Sequence, residues 1–291
     1  MAIRKPAVAG QFYGGSREEC LVEIAECLPK GAIKAGLPDR IVGGIVPHAG
    51  WLFSGDLAAL VFTAIRQVNK TVDTFILFGA SHRSHDSCPL IYPDGTWETP
   101  LGKIDIDEIL TKELIRLGAK SNVEAHRHEH SIEVQVPFIQ YLFPDAKIVA
   151  VIMPPVPGGY ECAFGQKVGA LLKDSGAGAV CVASTDLTHY GPRYGFCPQG
   201  TNSTALTWAY EVNDMEFINK ALNMDAEHLV DSSLQHENAC GPAAAAAVVA
   251  AAKTAGCKKG YLLGHTNSAE VTRARFGQAS NESVGYASIV F

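Results

Sequence analysis

The sequence predicts an α/β fold, a single-domain sandwich with a central, mostly parallel sheet flanked by helices. Apolar runs rich in β-branched residues, at 41–46, 74–80, 147–152 and 179–184, read as strands covered on both faces. They alternate with segments of helical spacing, the pattern of crossover connections in a parallel sheet. No internal repeat, low-complexity tail or linker interrupts the 291 residues, so residues 1–291 read as one domain with ample core.

Ser16 followed by Glu19 is a capping-box pattern that starts a helix near Arg17 and carries it to about Cys27. Residues 28–40 are a connection punctuated by glycine and proline. The strand at 41–46 stops at Pro47, which has no N–H for a ladder, and delivers His48 into a loop. Leu57, Leu60, Val61 and Ile65 share one face of a helix over 55–68. The strand at 74–80 runs into Ser81 and His82. Residues 87–100, irregular and carrying Trp97, read as a pocket wall. A helix over 107–117 stops at Gly118. The next segment, AHRHEHSIEVQVP at 125–137, holds three histidines with Glu129 and Glu133, and a helix over 131–141 is expected around Pro137. After the strand at 147–152 and a helix over 162–174, the strand at 179–184 runs into Asp186 and His189. Helices over 206–221 and 226–234 lead to ENACGPAAAAAVVAAAK, the clearest helix, with Pro242 in its first turn and an alanine interior. Strands at 260–264 and 283–291 complete the order.

A net charge of −6 gives no reason to expect nucleic acid or an anionic membrane as partner. The longest apolar stretch, 242–252, is too short to span a bilayer, and no signal-peptide pattern is present, so a cytoplasmic location is expected. The eight cysteines form no CxxC pair and read as reduced, mostly buried thiols, with Cys20 and Cys27 on one helix face.

Three strands ending in His48, in His82 and in Asp186 with His189 suggest one site, because ligands of open α/β sheets bind beyond the carboxyl ends of the strands. His48, His82 and Cys240 form a candidate metal set for iron, zinc or copper that leaves positions for water or substrate. Cys240 also precedes a long helix, whose N-terminus favours a thiolate. Against this, each histidine could merely cap a strand and Cys240 could simply pack. Asp186 and His189 form an acid/base set, with His189 the proton shuttle; Asp186 could equally cap the following turn. His126, His128 and His130 would share one side of an extended strand, whereas a helical turn would pair His130 with Glu133. Either arrangement could make a second metal site, or only a solvated loop. No phosphate-binding glycine loop and no GxSxG elbow is present, and Ser81 has no evident oxyanion hole.

The chain resembles the Memo family, also called the AmmeMemoRadiSam system protein B family. The resemblance rests on RKPAVAGQFY at 4–13, VPHAGW at 46–51, FGASH at 78–82, EHSIEVQVPF at 129–138, STDLTHYG at 184–191, ENACGP at 237–242 and a tail of the LLGHTNSAEV…VGYASIVF type. It implies a fold like that of the class III extradiol ring-cleaving dioxygenases, which use non-haem Fe(II). By motif, His48, His82 and Cys240 match the family's metal positions. Asp186 and His189 line the same pocket, with His189 in the place of the acid/base histidine, and His130 matches a further pocket histidine. A cysteine in place of the dioxygenases' glutamate softens the donor set toward Cu(I) or zinc. Phe53, Ala80 and His265 stand where the family more often has tyrosine, proline and an aromatic residue. The resemblance therefore implies an Fe(II)-dependent oxidoreductase on a small molecule. Its alternatives are a non-catalytic module for a phosphopeptide or protein partner, or an accessory protein of a radical-SAM system. Oligomeric state, and the roles of His126, His128 and His265, are left open.

Overall fold

Four parallel strands form the centre of the larger sheet, in the order Gly43–Val46, Ala179–Ser184, Thr74–Ala80, Lys147–Met153. The structure is a computed structural model and describes residues 3–33, 36–83, 86–156, 159–175 and 178–291; residues 34 and 35 of the expected connection at 28–40 lie outside these. Along the Thr74–Ala80 strand, Ile76 and Phe78 enter one core with Val149, Val151 and Cys181. Phe75 and Leu77 enter the other with Ile148, Ala150 and Val180. Burial on both faces is what an unbroken apolar run requires, because neither set of side chains can be left in water.

Ser283–Val290 adds antiparallel to Gly43–Val46, and Tyr261–Asn267 pairs antiparallel with Ser283–Val290. Short strands at Leu90–Ile91, Lys120–Ser121 and His189–Tyr190 extend the edges, making nine strands among the described residues. A smaller sheet joins Ile3–Arg4, Thr96–Thr99 and Gly102–Asp105. Residues 87–100 thus contain two strands where an irregular wall was expected. Their paired residues number only two and four, too few for a periodic signal.

Both halves of the predicted capping box are made. The Ser16 hydroxyl accepts from Glu19 N–H, and the Glu19 carboxylate accepts from Ser16 N–H, at the start of the Arg17–Cys27 helix. Helices Trp51–Val68 and Val136–Leu142 cover one face of the sheet with it; Tyr160–Ser175 and Pro242–Thr254 cover the other. Every residue from Pro242 to Ala252 is buried, so the alanines do more than favour helix: they let neighbours approach closely. The close neighbour is Tyr160–Ser175, where a β-carbon on Gly165 would overlap the Ala247 carbonyl and one on Gly169 would overlap that of Ala251. Gly165→Val is accordingly expected to lower stability by about 2–3 kcal/mol through overpacking, measured by chemical denaturation; a loss below about 0.5 kcal/mol would show slack between the helices.

The segment 125–130 is not an extended strand. His126 ends a helical turn, Val123–His126, and a 3₁₀ turn at Glu133–Gln135 precedes the next helix. Nor do His130 and Glu133 form a second metal site. Glu133 is buried and anchors the residue 4–13 arm, accepting from Arg4 Nη1 at 2.8 Å, from the N–H groups of Ala7 and Val8, and from Tyr13 Oη at 3.0 Å. His126 is buried against Tyr92 and Trp97, its carbonyl accepts from Arg4 Nε, and burial pushes its pKa down to about 3. A helix at Ser268–Phe276, capped by Asn267, was not expected from the sequence. Among the described residues no helix is long and apolar enough to cross a membrane.

Candidate metal centre

Because the central strands are parallel, their carboxyl ends lie along one edge of the sheet, and the loops after Val46, Ala80 and Ser184 open onto a shared cavity of about 550 Å³. His48, His82, Asp186 and His189 all line it, as does His130 from the segment 125–137. The expected convergence of three strand ends therefore holds. The side-chain nitrogens of His48, His82 and His130 lie within 4.8 Å of one another, a group that could hold a metal ion. The rings of His82 and His130 stack at 4.7 Å, and that of His48 stands edge-on to both.

Hydrogen bonding behind the rings decides which nitrogen faces the cavity. The Ser184 hydroxyl donates its one proton to Ser131 O at 2.7 Å, so it can only accept from His48 Nδ1 at 3.0 Å and from Gln135 Nε2 at 3.2 Å. His48 Nδ1 therefore carries the proton, and Nε2 presents its lone pair toward the site. For His82, Nδ1 donates to the Glu129 carboxylate at 3.0 Å, which leaves Nε2 as the inward atom. Glu129 is fixed in turn by the N–H groups of His82 and Ser131. An imidazole held from behind by a carboxylate or hydroxyl is how metal-binding histidines are kept in tautomer and orientation.

Cys240 arrives from the other side of the sheet, in the turn before Pro242–Thr254. Its Sγ lies 3.1 Å from His48 Nε2 and accepts from Asp186 N–H at 3.3 Å. The turn is tied down by Cys240 N–H to Asp186 O and by Gly241 N–H to Thr185 Oγ1. A β-carbon at Gly241 would overlap Ser184 O, so only glycine lets this turn press against the strand end. The Asp186 carboxylate accepts from His48 N–H at 2.7 Å. Among the described residues it makes no hydrogen bond with His189. Its place is under the His48 peptide.

Burial and mutual contact set the protonation of the cavity's histidines apart. Burial, then the neighbouring His82 and His130, hold the His48 pKa well below its ordinary value. Burial and His82 likewise push His130 down to about 4. For His82 burial acts downward as well, but hydrogen bonds to Cys240 and Glu129 together with their charges carry it up to about 10. Burial pushes the Cys240 thiol up and the Asp186 carboxyl up to about 7. His189, lowered by burial, packs on Tyr194, and its Nε2 is buried with no protein partner. Phe12 and Phe53 add aromatic wall, and Phe12 lies 4.8 Å from the His130 ring.

Glu129 and Ser184 carry no role that the sequence announces. The usable signal is that Glu129 directly precedes a histidine of the cavity, but which histidine it serves depends on the fold. His265 lies elsewhere, hydrogen-bonded to Asp214 and stacked on Tyr210.

The family model described as Memo-like protein matches residues 4–290. A MEMO1 family protein of Thermococcus onnurineus is 35% identical over 296 residues, covering 99% of each chain. One from Pyrobaculum aerophilum is 34% identical over 301 residues, covering 100% of this chain and 99% of its own. Among solved structures, an uncharacterized protein of Escherichia coli K12 superimposes with a TM-score of 0.50 at 15% identity, over 84% of this chain and 99% of that one. That likeness shows a common fold. Matched along nearly its whole length, the chain belongs to the Memo family.

Proposed function

We propose that the protein is a metal-dependent oxidoreductase acting on a small molecule, with the metal held by His48, His82 and Cys240. The observation that carries this reading is the pair of inward-facing Nε2 atoms, fixed from behind by Ser184 and Glu129, beside the Cys240 sulfur. Two imidazoles and one thiolate suit Fe(II), our first assignment, and also copper and zinc. Bound there, a redox-active metal would supply Lewis acidity and electron transfer. His189, whose ring lines the cavity, moves a proton to or from substrate, while Asp186 holds the loop that carries His48. His130 donates a hydrogen bond to the ligand. A cavity of about 550 Å³ suits a small molecule.

Metal analysis after anaerobic purification tests the donor set. His48→Ala and Cys240→Ser are expected to lose stoichiometric metal, and His130→Ala to keep it. Full metal in both of the first two would sink the triad. Loss in His130→Ala with retention in Cys240→Ser would move the centre to the three histidines.

The exposed Arg193 at the cavity mouth favours a second reading, a binding module for a peptide or protein partner. An accessory role to a radical-SAM protein would use the same mouth. Oxygen uptake with Fe(II) and catechol-type substrates separates turnover from binding, and co-purification with a radical-SAM protein would favour the accessory role.

A further inference from the structure

His265 is absorbed by neither reading, yet it is joined to the loop that carries His189. The helical stretch from Ser203 to Leu222 is interrupted by a π turn at Ala209–Asn213, an irregularity that often occurs beside functional sites. It presents consecutive residues to one peptide. Asn213 Nδ2 donates to Thr188 Oγ1 at 3.1 Å, and Asp214 Oδ1 accepts from Thr188 N–H at 2.9 Å. The other Asp214 oxygen accepts from His265 Nε2 at 3.1 Å. The His265 ring lies 4.1 Å from Tyr210 of the same π turn, nearly parallel at 9°, and Tyr210 Oη donates to His265 O.

The opposite side of the loop is closed by the Ser283–Val290 strand. Gly285 N–H donates to Thr188 O at 3.0 Å, and Leu187 N–H to Gly285 O at 2.8 Å. A β-carbon at Gly285 would overlap the Asp214 carboxylate, so glycine makes room for the pair. Every polar group of Thr188 is thus occupied, and the next residue is His189.

We infer that Asp214 and His265 are positioning residues for His189: the carboxylate holds the Thr188 peptide, and the imidazole holds the carboxylate, so that the His189 ring is kept in the cavity wall. The inference rests on the reading of His189 as the proton-moving group. A phenylalanine at 265 could still stack on Tyr210 but could not donate to Asp214.

His265→Phe preserves the stacking and removes the donor, and His265→Gln offers a donor again. NMR on both variants reads amide exchange at Thr188 and the titration of the His189 ring, with metal content measured in parallel. In His265→Phe, exchange at Thr188 is expected to speed up about tenfold or more, with the central strands unchanged. The His189 midpoint is expected to move up toward the ordinary histidine value as the ring gains solvent. His265→Gln is expected to restore both. Unchanged Thr188 exchange and His189 titration in His265→Phe would overturn the inference, and so would faster exchange throughout the chain. Asp214→Asn extends the test if it folds; if it does not, the two His265 variants decide. Wild-type metal content in His265→Phe is expected. Metal that ignores His48 and Cys240 substitution would defeat the proposed centre without touching these readouts.

Discussion

Glu133→Ala is expected to lower the free energy of unfolding by about 3–5 kcal/mol, the usual cost of removing one partner of a buried ion pair. Arg4 would be left with its charge buried beside Trp97, whose ring it covers at 4.1 Å, and with only neutral carbonyls, of Lys5, His126 and Glu129, as acceptors. Ala7 and Val8 N–H and the Tyr13 hydroxyl would lose their acceptor in the same step. The effect reaches the cavity, because the same arm carries Phe12, whose carbonyl accepts from Trp51 N–H at 2.7 Å. Urea denaturation measures the loss. A change under about 1 kcal/mol would mean that the arm docks by packing alone.

Glu129→Gln is expected to weaken metal binding about 10- to 100-fold, the usual effect of removing a carboxylate behind a metal-binding histidine. It should also change the pH dependence. In the metal-free protein the Glu129 carboxylate favours the protonated His82 ring, and burial favours the Cys240 thiol over its thiolate; both protons must leave when metal enters. Since the bound state holds fewer protons, affinity rises with pH, by about tenfold per unit for each proton displaced. Without the Glu129 charge His82 loses its proton more readily, so the rise between about pH 6 and 8 should be shallower. Competition titrations with a chelator at several pH values check both. Equal affinity and equal slope in the two proteins would show that Glu129 supports the fold and not the metal.

The strand ends were legible because their signal is local. The residues around 43–46, 74–80 and 179–184 are apolar and β-branched, and each run stops at a histidine or aspartate. That His48 and His82 would meet followed from parallel pairing, which the alternation with helices implies. The work of Glu133 was not legible, since a glutamate beside a histidine reads alike as ligand, cap or anchor until Arg4 is placed against it. The supports from Ser184 and Glu129 were hidden for the same reason: they join residues 136 and 47 positions apart. The alanine run announced a helix by propensity, but its complete burial depends on Gly165 and Gly169 of another segment.

The cavity also has an order of assembly. Cys240 meets His48 across 192 residues, and Arg4 meets Glu133 across 129. Val42 N–H donates to Phe291 O, so the strand that carries His48 is completed by the last residue of the sequence. Contacts this distant form slowly, because loop closure must precede the gain from each pairing. Partly folded chains would therefore present scattered imidazoles and an unguarded thiol, and the ion's contribution to stability would begin only when the topology closes. The arm and the residues beyond 240 therefore belong to the assembly of the centre, however far from His48 they lie in sequence.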